Sequence, residues 1–277
     1  MDILELQNVH KSILDLYKTS IIPIITNYFN NDKNSVKEKD GGNYSKTLVS
    51  NADLEINKIL VSNLPKIVNG AHIISEESEN NQFGEYTFII DPIDGTHSFL
   101  RNLDDWGIAI ELCHKNEVVY SVLFYPNSKT EFFYAIKGLG AFDSDNNKIK
   151  TKKFFDFKPS FVCAPASREI GRSLIEYAKG KMLSFRAYGS CVYAVYTLLR
   201  GGNDFIFFDD LNIWDILGCQ FIAEQAGFIV CWYSDKPRLD NNDNVKENRY
   251  RLLIYKNDYN VTQINEIKGI IQKTLSE

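Results

Sequence analysis

Apolar residues recur at helical spacing at the start of the chain. Leu6 and Ile13 belong to a series whose members stand three or four positions apart, which predicts an amphipathic helix over residues 3–29 that bends at Pro23. Residues 30–46 are almost all Asn, Asp, Lys, Ser and Gly, and they offer little that a core could bury. We therefore expect a mobile loop after the first helix.

Strand-like apolar runs dominate the middle of the chain. Three of them are separated by short polar turns, which is the spacing of an antiparallel meander. In the second half, short apolar runs alternate with helical periodicity, as they do in α/β folds. The predicted strands are 72–74, 87–90, 106–113, 118–125, 132–136, 161–164, 182–185, 204–208 and 252–255, and the predicted later helices are 50–64, 170–179, 191–199, 213–226 and 261–275.

This order of elements predicts a layered α/β protein. Residues 1–150 read as an α+β half and residues 151–277 as an α/β half. The chain has 277 residues, which is close to the ~250–300 residues that one hydrophobic core can serve. We therefore expect the two halves to pack as one compact unit.

Charge and cysteine content narrow the function classes. The formal net charge is −5 and the isoelectric point about 5.5, whereas a basic nucleic-acid-binding domain has a value above ~9; direct nucleic-acid binding is not expected. The five cysteines form no Cys-x-x-Cys pair, which favours reduced thiols. Asp2 and Glu5 do not suit a secretory signal, and no apolar run approaches the ~20 residues of a membrane span. We expect a cytoplasmic protein without a membrane segment.

The six residues 91–96, with the sequence DPIDGT, carry the clearest chemical signal. They directly follow an apolar strand, and Pro92 is expected to end it because proline lacks an amide donor. Asp91 and Asp94 on such a turn can converge on one hard cation. The alternative is that Asp94 or Thr96 only caps the helix that follows.

Three further acidic positions accompany this turn. Glu76 follows the strand 72–74, Asp215 opens a helix after Trp214, and Asp53 stands three residues after Ser50. Each also has a structural reading: a solvated acidic loop, a favourable charge at a helix N-terminus, and a capping box, respectively.

Other catalytic patterns are absent from the sequence. The four histidines do not form an HExxH motif, and neither GxxxxGK[ST] nor GxGxxG occurs. Cys191 follows a Gly-Ser pair, but the sequence supplies no base that would activate it as a nucleophile. A zinc hydrolase, a P-loop enzyme and a cysteine nucleophile are therefore disfavoured.

Taken in order, the segments VSNAD, ISEES, DPIDGT, AYGS and NIWDILG resemble the inositol monophosphatase superfamily of magnesium-dependent, lithium-sensitive phosphatases. The resemblance implies a layered αβαβα sandwich of the inositol monophosphatase and fructose-1,6-bisphosphatase type, and a homodimer. It also implies a site for two or three Mg²⁺ ions. Its ligands would be Glu76, Asp91, the Ile93 carbonyl, Asp94 and Asp215.

The same resemblance implies hydrolysis of a small-molecule phosphomonoester by a metal-activated water. Asp53 and Thr96 would form a hydrogen-bonded pair that positions and deprotonates this water, and Glu76 would assist from the metal side. The amides of Gly95 and Thr96 would hold phosphate oxygens. The further substrate contacts implied are Gly189, Ser190, Phe208 and Asp215.

The nature of the ester stays open at this point. Phe208 stands where inositol monophosphatases often carry a Glu for inositol hydroxyls, which favours the 3'(2'),5'-bisphosphate nucleotidase branch and a base stacked on the ring. The alternative is that Phe208 is a core residue, since it ends the apolar run 205–208. His97 stands where that branch commonly has a Lys, which argues against it. A hypothesis of another class is a binding partner of the transcription machinery with little or no activity.

Overall fold

The computed structural model describes residues 1–31, 36–39, 47–79, 82–151, 160–164, 169–181, 184–239, 245–258 and 260–276. Its first helix, α1, continues through a π-helical segment, Tyr17–Ile21, into α2. The helices are α1 (Ile3–Leu16), α2 (Ile22–Asn31), α3 (Asn51–Ile67), α4 (Thr96–Leu100), α5 (Glu169–Lys181), α6 (Cys191–Leu199), α7 (Ile213–Gln225) and α8 (Val261–Ser276). The strands are β1 (Val36–Lys39), β2 (Thr47–Ser50), β3 (His72–Ser75), β4 (Tyr86–Asp94), β5 (Gly107–His114), β6 (Glu117–Phe124), β7 (Phe132–Ile136), β8 (Gly140–Asp143), β9 (Ser160–Ala164), β10 (Ser184–Arg186), β11 (Phe205–Leu211), β12 (Phe228–Trp232) and β13 (Tyr250–Lys256).

Two large sheets organise these elements. The first has six strands in the order β3-β4-β5-β6-β7-β8, and β5, β6 and β7 form the predicted antiparallel meander. The second has five strands in the order β10-β9-β11-β13-β12, of which β10, β9 and β11 are parallel. All strands of the first sheet precede residue 150 in the chain, and all strands of the second follow it. The division of the chain into two halves at this residue stays a prediction.

The side chains of each sheet alternate between two cores. In β5, Ile108 and Ile110 pack with α1 to α3, whereas Ala109 faces the central layer of α6 and α7. In β11, Phe207 packs with α5 and α8, whereas Phe208 faces the central layer. The layers therefore run helix, sheet, helix, sheet, helix, which confirms the αβαβα sandwich.

The expected loop at residues 30–46 is wrong in part. The strand β1 lies within it and pairs antiparallel with β2, and α2 extends to Asn31. A strand of four residues is too short for hydrophobic periodicity to predict from the sequence. Residues 32–35 and 40–46 lie outside the described residues.

The expected end of a strand at Pro92 is also wrong. The strand β4 continues to Asp94, and its pairing with β5 shifts register between Asp91 and Asp94. A bulge tolerates a proline because the residues within it make no regular ladder hydrogen bonds. The strands β8 and β12 were not predicted, because Gly140–Asp143 is short and Phe228–Trp232 follows the helix-ending Gly227 without a clear break.

Within the described ranges, every helix is too short or too polar to cross a membrane. Cys113, Cys191, Cys219 and Cys231 are free thiols.

Candidate active site

Three carboxylates from two distant parts of the chain meet between the first sheet and the central helices. One oxygen from each of Asp91, Asp94 and Asp215 lies within 4.8 Å of the others. Asp91 and Asp94 come from the bulged end of β4, and Asp215 comes from the first turn of α7. We call these three residues the carboxylate cluster. The geometry suits one or more hard cations.

The bulge and the turn after it place the two β4 carboxylates. The Ile93 amide donates to Asp91 Oδ1 at 3.0 Å, which holds that side chain against its own turn. Gly95 has a φ of 93°, and a Cβ there would lie 2.9 Å from the Ser190 Cβ. Only glycine satisfies both the left-handed backbone and this close approach to α6.

Residues at the start of α6 hold Asp94 through hydrogen bonds. Asp94 Oδ2 accepts hydrogen bonds from Ser190 Oγ at 2.5 Å and from the Val192 amide at 2.6 Å. Ser190 is buried and also caps α6 through the Tyr193 amide. The Ser190 hydroxyl thus holds Asp94 in this structure, and the expectation that Ser190 contacts substrate stays a prediction. Gly189, next to it, is exposed.

Asp215 combines two roles that sequence reasoning treated as alternatives. Its Oδ2 accepts a hydrogen bond from the Asn212 amide at 2.8 Å and completes the capping box of α7. Burial and the charges of Asp94 and Glu76 raise the pKa of Asp215 well above its usual range, while the positive charge of Arg249 acts in the opposite direction. The carboxylate therefore caps its helix and belongs to the cluster.

Mutual repulsion dominates the electrostatics of the cluster. Burial raises the pKa of Asp91 well above its usual range, and the charges of Glu76 and Asp94 raise it further. Burial raises the pKa of Asp94 to about 6, although the hydrogen bonds from Ser190 and Val192 lower it. Glu76 thus acts electrostatically on the cluster from the turn after β3. A bound cation would relieve this repulsion.

Asp53 and Thr96 form the hydrogen-bonded pair that the sequence predicted. Thr96 Oγ1 lies 3.2 Å from Asp53 Oδ1 and 3.3 Å from the Ile93 carbonyl oxygen. The other oxygen of Asp53 accepts hydrogen bonds from the amide and the hydroxyl of Ser50, so the capping box is also present. Burial raises the pKa of Asp53 to about 6, against the lowering effect of the Ser50 hydroxyl. A carboxylate with this pKa is suited to accept a proton near neutrality.

The expectation that a base stacks on Phe208 is wrong. The ring is 0% exposed and lies in the core beneath the central helices. Its neighbours in the apolar run of β11 alternate between two cores, so the strand is buried on both faces. The core position, which the apolar run 205–208 had left open as the alternative, is the one that the structure shows.

Sequence reasoning missed two cations that flank the site. Lys246 Nζ donates to the Glu76 carbonyl oxygen at 3.2 Å, and Arg249 Nη1 donates to Asn212 Oδ1 at 2.6 Å. Both are exposed and lie just before β13. Nothing in the polar sequence around them distinguishes them from a solvated loop.

It also missed a buried acid behind the cluster. Glu111 on β5 is 0% exposed, and neither carboxylate oxygen bonds to another residue in the described part of the chain. Its Oε1 lies where a Cβ at Gly218 would be, at 1.8 Å from that position, and the unpartnered Ser121 hydroxyl lies beside it. The signal was a lone Glu inside an apolar strand.

The sequence was compared with known proteins. A family model described as the inositol monophosphatase family matches residues 5–263. A fructose-1,6-bisphosphatase/inositol-1-monophosphatase of Thermotoga maritima is 27% identical over 202 residues, 73% of this chain and 77% of that protein. A Nus factor SuhB of Xylella fastidiosa is 24% identical over 200 residues, 69% of this chain and 72% of that protein. A 3'(2'),5'-bisphosphate nucleotidase CysQ of Haemophilus influenzae is 28% identical over 192 residues, 65% of this chain and 70% of that protein.

Solved structures agree with the fold. An IMPase/NADP phosphatase complexed with Mg²⁺ and phosphate superposes with a TM-score of 0.78. The match covers 96% of this chain and 95% of that one at 18% identity. At this identity the likeness shows the architecture.

Proposed function

Since the chain belongs to the inositol monophosphatase family, we propose that it is a Mg²⁺-dependent phosphomonoesterase that hydrolyses a small-molecule phosphate ester. The observation that carries this proposal is the buried carboxylate cluster of Asp91, Asp94 and Asp215 beside the Asp53–Thr96 pair. Together they provide charges for a metal and a base for water within one site.

The residues fit Mg²⁺ by the chemistry of their donors. Asp91, Asp94, Asp215, Glu76 and the Ile93 carbonyl would hold the ions, and all of them offer oxygen, which is the ligand type that Mg²⁺ prefers. Bound Mg²⁺ supplies Lewis acidity, and it neutralises charge on the phosphate and on the leaving oxygen. The number of ions, two or three, is part of the proposal.

The chain's own groups would then handle the proton of the attacking water. Thr96 accepts a hydrogen bond from this water and donates its own proton toward Asp53 Oδ1, to which it is already hydrogen-bonded. Asp53 is held by Ser50 and has a pKa of about 6, so it is ionised at neutral pH and can take the proton. Glu76 assists from the metal side, and the amides of Gly95 and Thr96 bind phosphate oxygens.

The specific activity is not shared by all relatives. Similar proteins are described as inositol monophosphatase, fructose-1,6-bisphosphatase and 3'(2'),5'-bisphosphate nucleotidase, so both compact polyol phosphates and nucleotides are candidate substrates. Another relative is described as a Nus factor, which keeps open the hypothesis of a partner in the transcription machinery. Co-purification with and without Mg²⁺ tests this second hypothesis. The expected homodimer and cytoplasmic location remain part of the proposal.

The proposal is tested by phosphate release. Inositol 1-phosphate, adenosine 3',5'-bisphosphate, fructose 1,6-bisphosphate and NADP are screened with MgCl₂ and with EDTA. We expect Asp91→Asn to keep less than about a tenth of the wild-type activity, because it removes a charge from the centre of the cluster. Glu224→Gln, an exposed acid on the same helix as Asp215, is the matched control and should be fully active. Activity in EDTA, or an active Asp91→Asn variant, contradicts the proposal.

A further inference from the structure

A basic cleft lies beside the carboxylate cluster. It has a volume of about 380 Å³ and lies at the connection between β12 and β13. Lys236, Arg238 and Arg249 line it, together with one acid, Asp235, and the polar side chains of Ser234 and Tyr250. Three cations against one acid give this surface a positive charge in a protein whose net charge is −5.

The cleft adjoins the site through Arg249. This residue forms one wall of the cleft, and its Nη1 donates to Asn212 Oδ1. Asn212 is the N-cap of α7, and its amide binds Asp215 at 2.8 Å. The wall of the cleft and a ligand of the cluster are therefore separated by one residue.

Two cations of the cleft, Arg249 and Lys236, keep hydrogen-bonding capacity. All three hydrogen bonds of Arg249 come from Nη1, to Asn212, Lys246 and Asn248, and within the described ranges Nε and Nη2 donate none. Lys236 is exposed and has no ion-pair or hydrogen-bond partner among the same residues. A guanidinium with a free edge and an unpaired ammonium are the groups that bind phosphate or carboxylate.

We propose that this cleft binds a second anionic group, a phosphate or a carboxylate, on the same small molecule whose phosphate ester is cleaved at the carboxylate cluster. This inference rests on the proposed phosphatase function. It assigns the substrate class to esters with two anionic groups, such as sugar or nucleoside bisphosphates. The charge of the cleft would bind the group that stays, while the cluster acts on the group that leaves.

The test compares esters with one and two anionic groups. The cleft variant is Lys236→Ala with Arg238→Ala, which leaves the contact of Arg249 with Asn212 intact. The charge-matched control is Lys11→Ala with Lys18→Ala, two exposed cations near the start of the chain without partners among the described residues. The value of kcat/KM is measured for fructose 1,6-bisphosphate, adenosine 3',5'-bisphosphate and inositol 1-phosphate.

We expect the cleft variant to lose at least about tenfold in kcat/KM for one of the two bisphosphates, because each exposed cation contributes modestly to binding an anion and two are removed. The value for inositol 1-phosphate should stay the same, because this ester has no second anionic group. The control variant should be unchanged for all three. Equal losses on all substrates, or none on either bisphosphate, overturn the proposal. A further experiment adds free sulfate to the inositol 1-phosphate assay. The proposal is also overturned if sulfate changes the turnover by the parent protein but not by the cleft variant, because the cleft would then bind a free anion.

A binding measurement separates this proposal from the phosphatase proposal. The Thr96→Ala background is expected to slow turnover, so titration calorimetry with fructose 1,6-bisphosphate and MgCl₂ reports affinity. Adding the cleft substitutions should weaken binding by about tenfold or more, and added salt should weaken the parent more than the cleft variant. If no ester is hydrolysed, the phosphatase proposal fails while this titration still decides on the cleft. Unchanged affinity overturns the cleft proposal even if every ester is hydrolysed.

Discussion

At the scale of single residues, Thr96 provides the sharpest test of the chemistry. We expect Thr96→Ala to lower kcat by about 10²–10⁴-fold, because in the proposed mechanism its hydroxyl, which is hydrogen-bonded to Asp53, also contacts the attacking water. KM and thermal stability should change little. Thr96→Ser keeps the hydroxyl and should recover most of the rate. A raised KM with an unchanged kcat would assign Thr96 to ground-state binding instead.

Glu111 predicts a pH dependence of stability. Burial raises its pKa well above the usual range, opposed in part by its own backbone amide, so the folded protein holds a proton that the unfolded chain releases. The group therefore costs no stability below its unfolded pKa, and the free energy of unfolding falls as pH rises from there toward the folded pKa, by up to about 1.4 kcal/mol per pH unit. The Glu111→Gln variant cannot ionise and should show a shallower fall.

This comparison uses urea unfolding of both proteins with EDTA at about pH 5, 6.5 and 8. The carboxylate cluster contributes a fall of the same sign in both proteins, so the difference between the two slopes isolates Glu111. Parallel slopes would mean that Glu111 is not buried as a neutral acid.

The sequence predicted the members of the carboxylate cluster, because each of these acids stands in a short motif at the end of a strand or the start of a helix. The acidic positions were identified because carboxylates at strand ends and helix starts are few. The capping and catalytic readings of Asp53 were set against each other, yet one of its oxygens caps α3 while the other accepts a hydrogen bond from Thr96, so the two readings are compatible. The hydrogen bond from Ser190 to Asp94 was not predicted, because a sequence does not show that the start of α6 lies against the end of β4.

At the scale of elements, α7 and β5 fit together through Gly218. We expect Gly218→Ala to destabilise the protein, although alanine is by ~1 kcal/mol the better helix former, because its Cβ would lie 1.8 Å from Glu111 Oε1. Gly269→Ala in α8 is the matched control, since nothing lies within 4 Å of its added Cβ, and it should be neutral or stabilising.

The double variant Glu111→Ala with Gly218→Ala should be more stable than the sum of the single changes, because the clash disappears with the carboxylate. Melting temperatures of the four proteins complete the cycle. Strict additivity would show that the two side chains do not compete for the same space.

Elements were predictable where burial imposes a period. The meander of β5, β6 and β7 and the later β/α alternation follow from apolar spacing alone. The bulge in β4 did not, because its register shift depends on the pairing with β5, which no local pattern records. The edge strand β12 was missed for a similar reason, since its pairing partner β13 comes later in the chain.

At the scale of the whole molecule, Mg²⁺ should stabilise the fold in a pH-dependent way. In the metal-free protein the raised pKa values of Asp91, Asp94 and Asp215 favour protonated folded forms, so stability falls as pH rises above the usual carboxyl pKa. In the proposed function Mg²⁺ would bind the ionised forms, and saturation at about 100 times Kd would add about 2.7 kcal/mol.

The gain in melting temperature on adding MgCl₂ should therefore be larger at about pH 8 than at about pH 5. It should shrink in the Asp91→Asn variant at both values. Scanning fluorimetry with EDTA and with MgCl₂ measures it. A gain that is equal at the two pH values, or larger in acid, would show that the ions bind elsewhere.

The way the site is assembled has a consequence for folding. Asp53 and Asp215 stand 162 positions apart in the chain, and the carboxylates come together only where β4 meets α7. Closing so long a loop costs chain entropy before any local contact repays it. A nascent chain therefore carries these acids far apart until most of it has been synthesised. We therefore expect the recovery of Mg²⁺ binding during refolding to report when α7 packs against the end of β4.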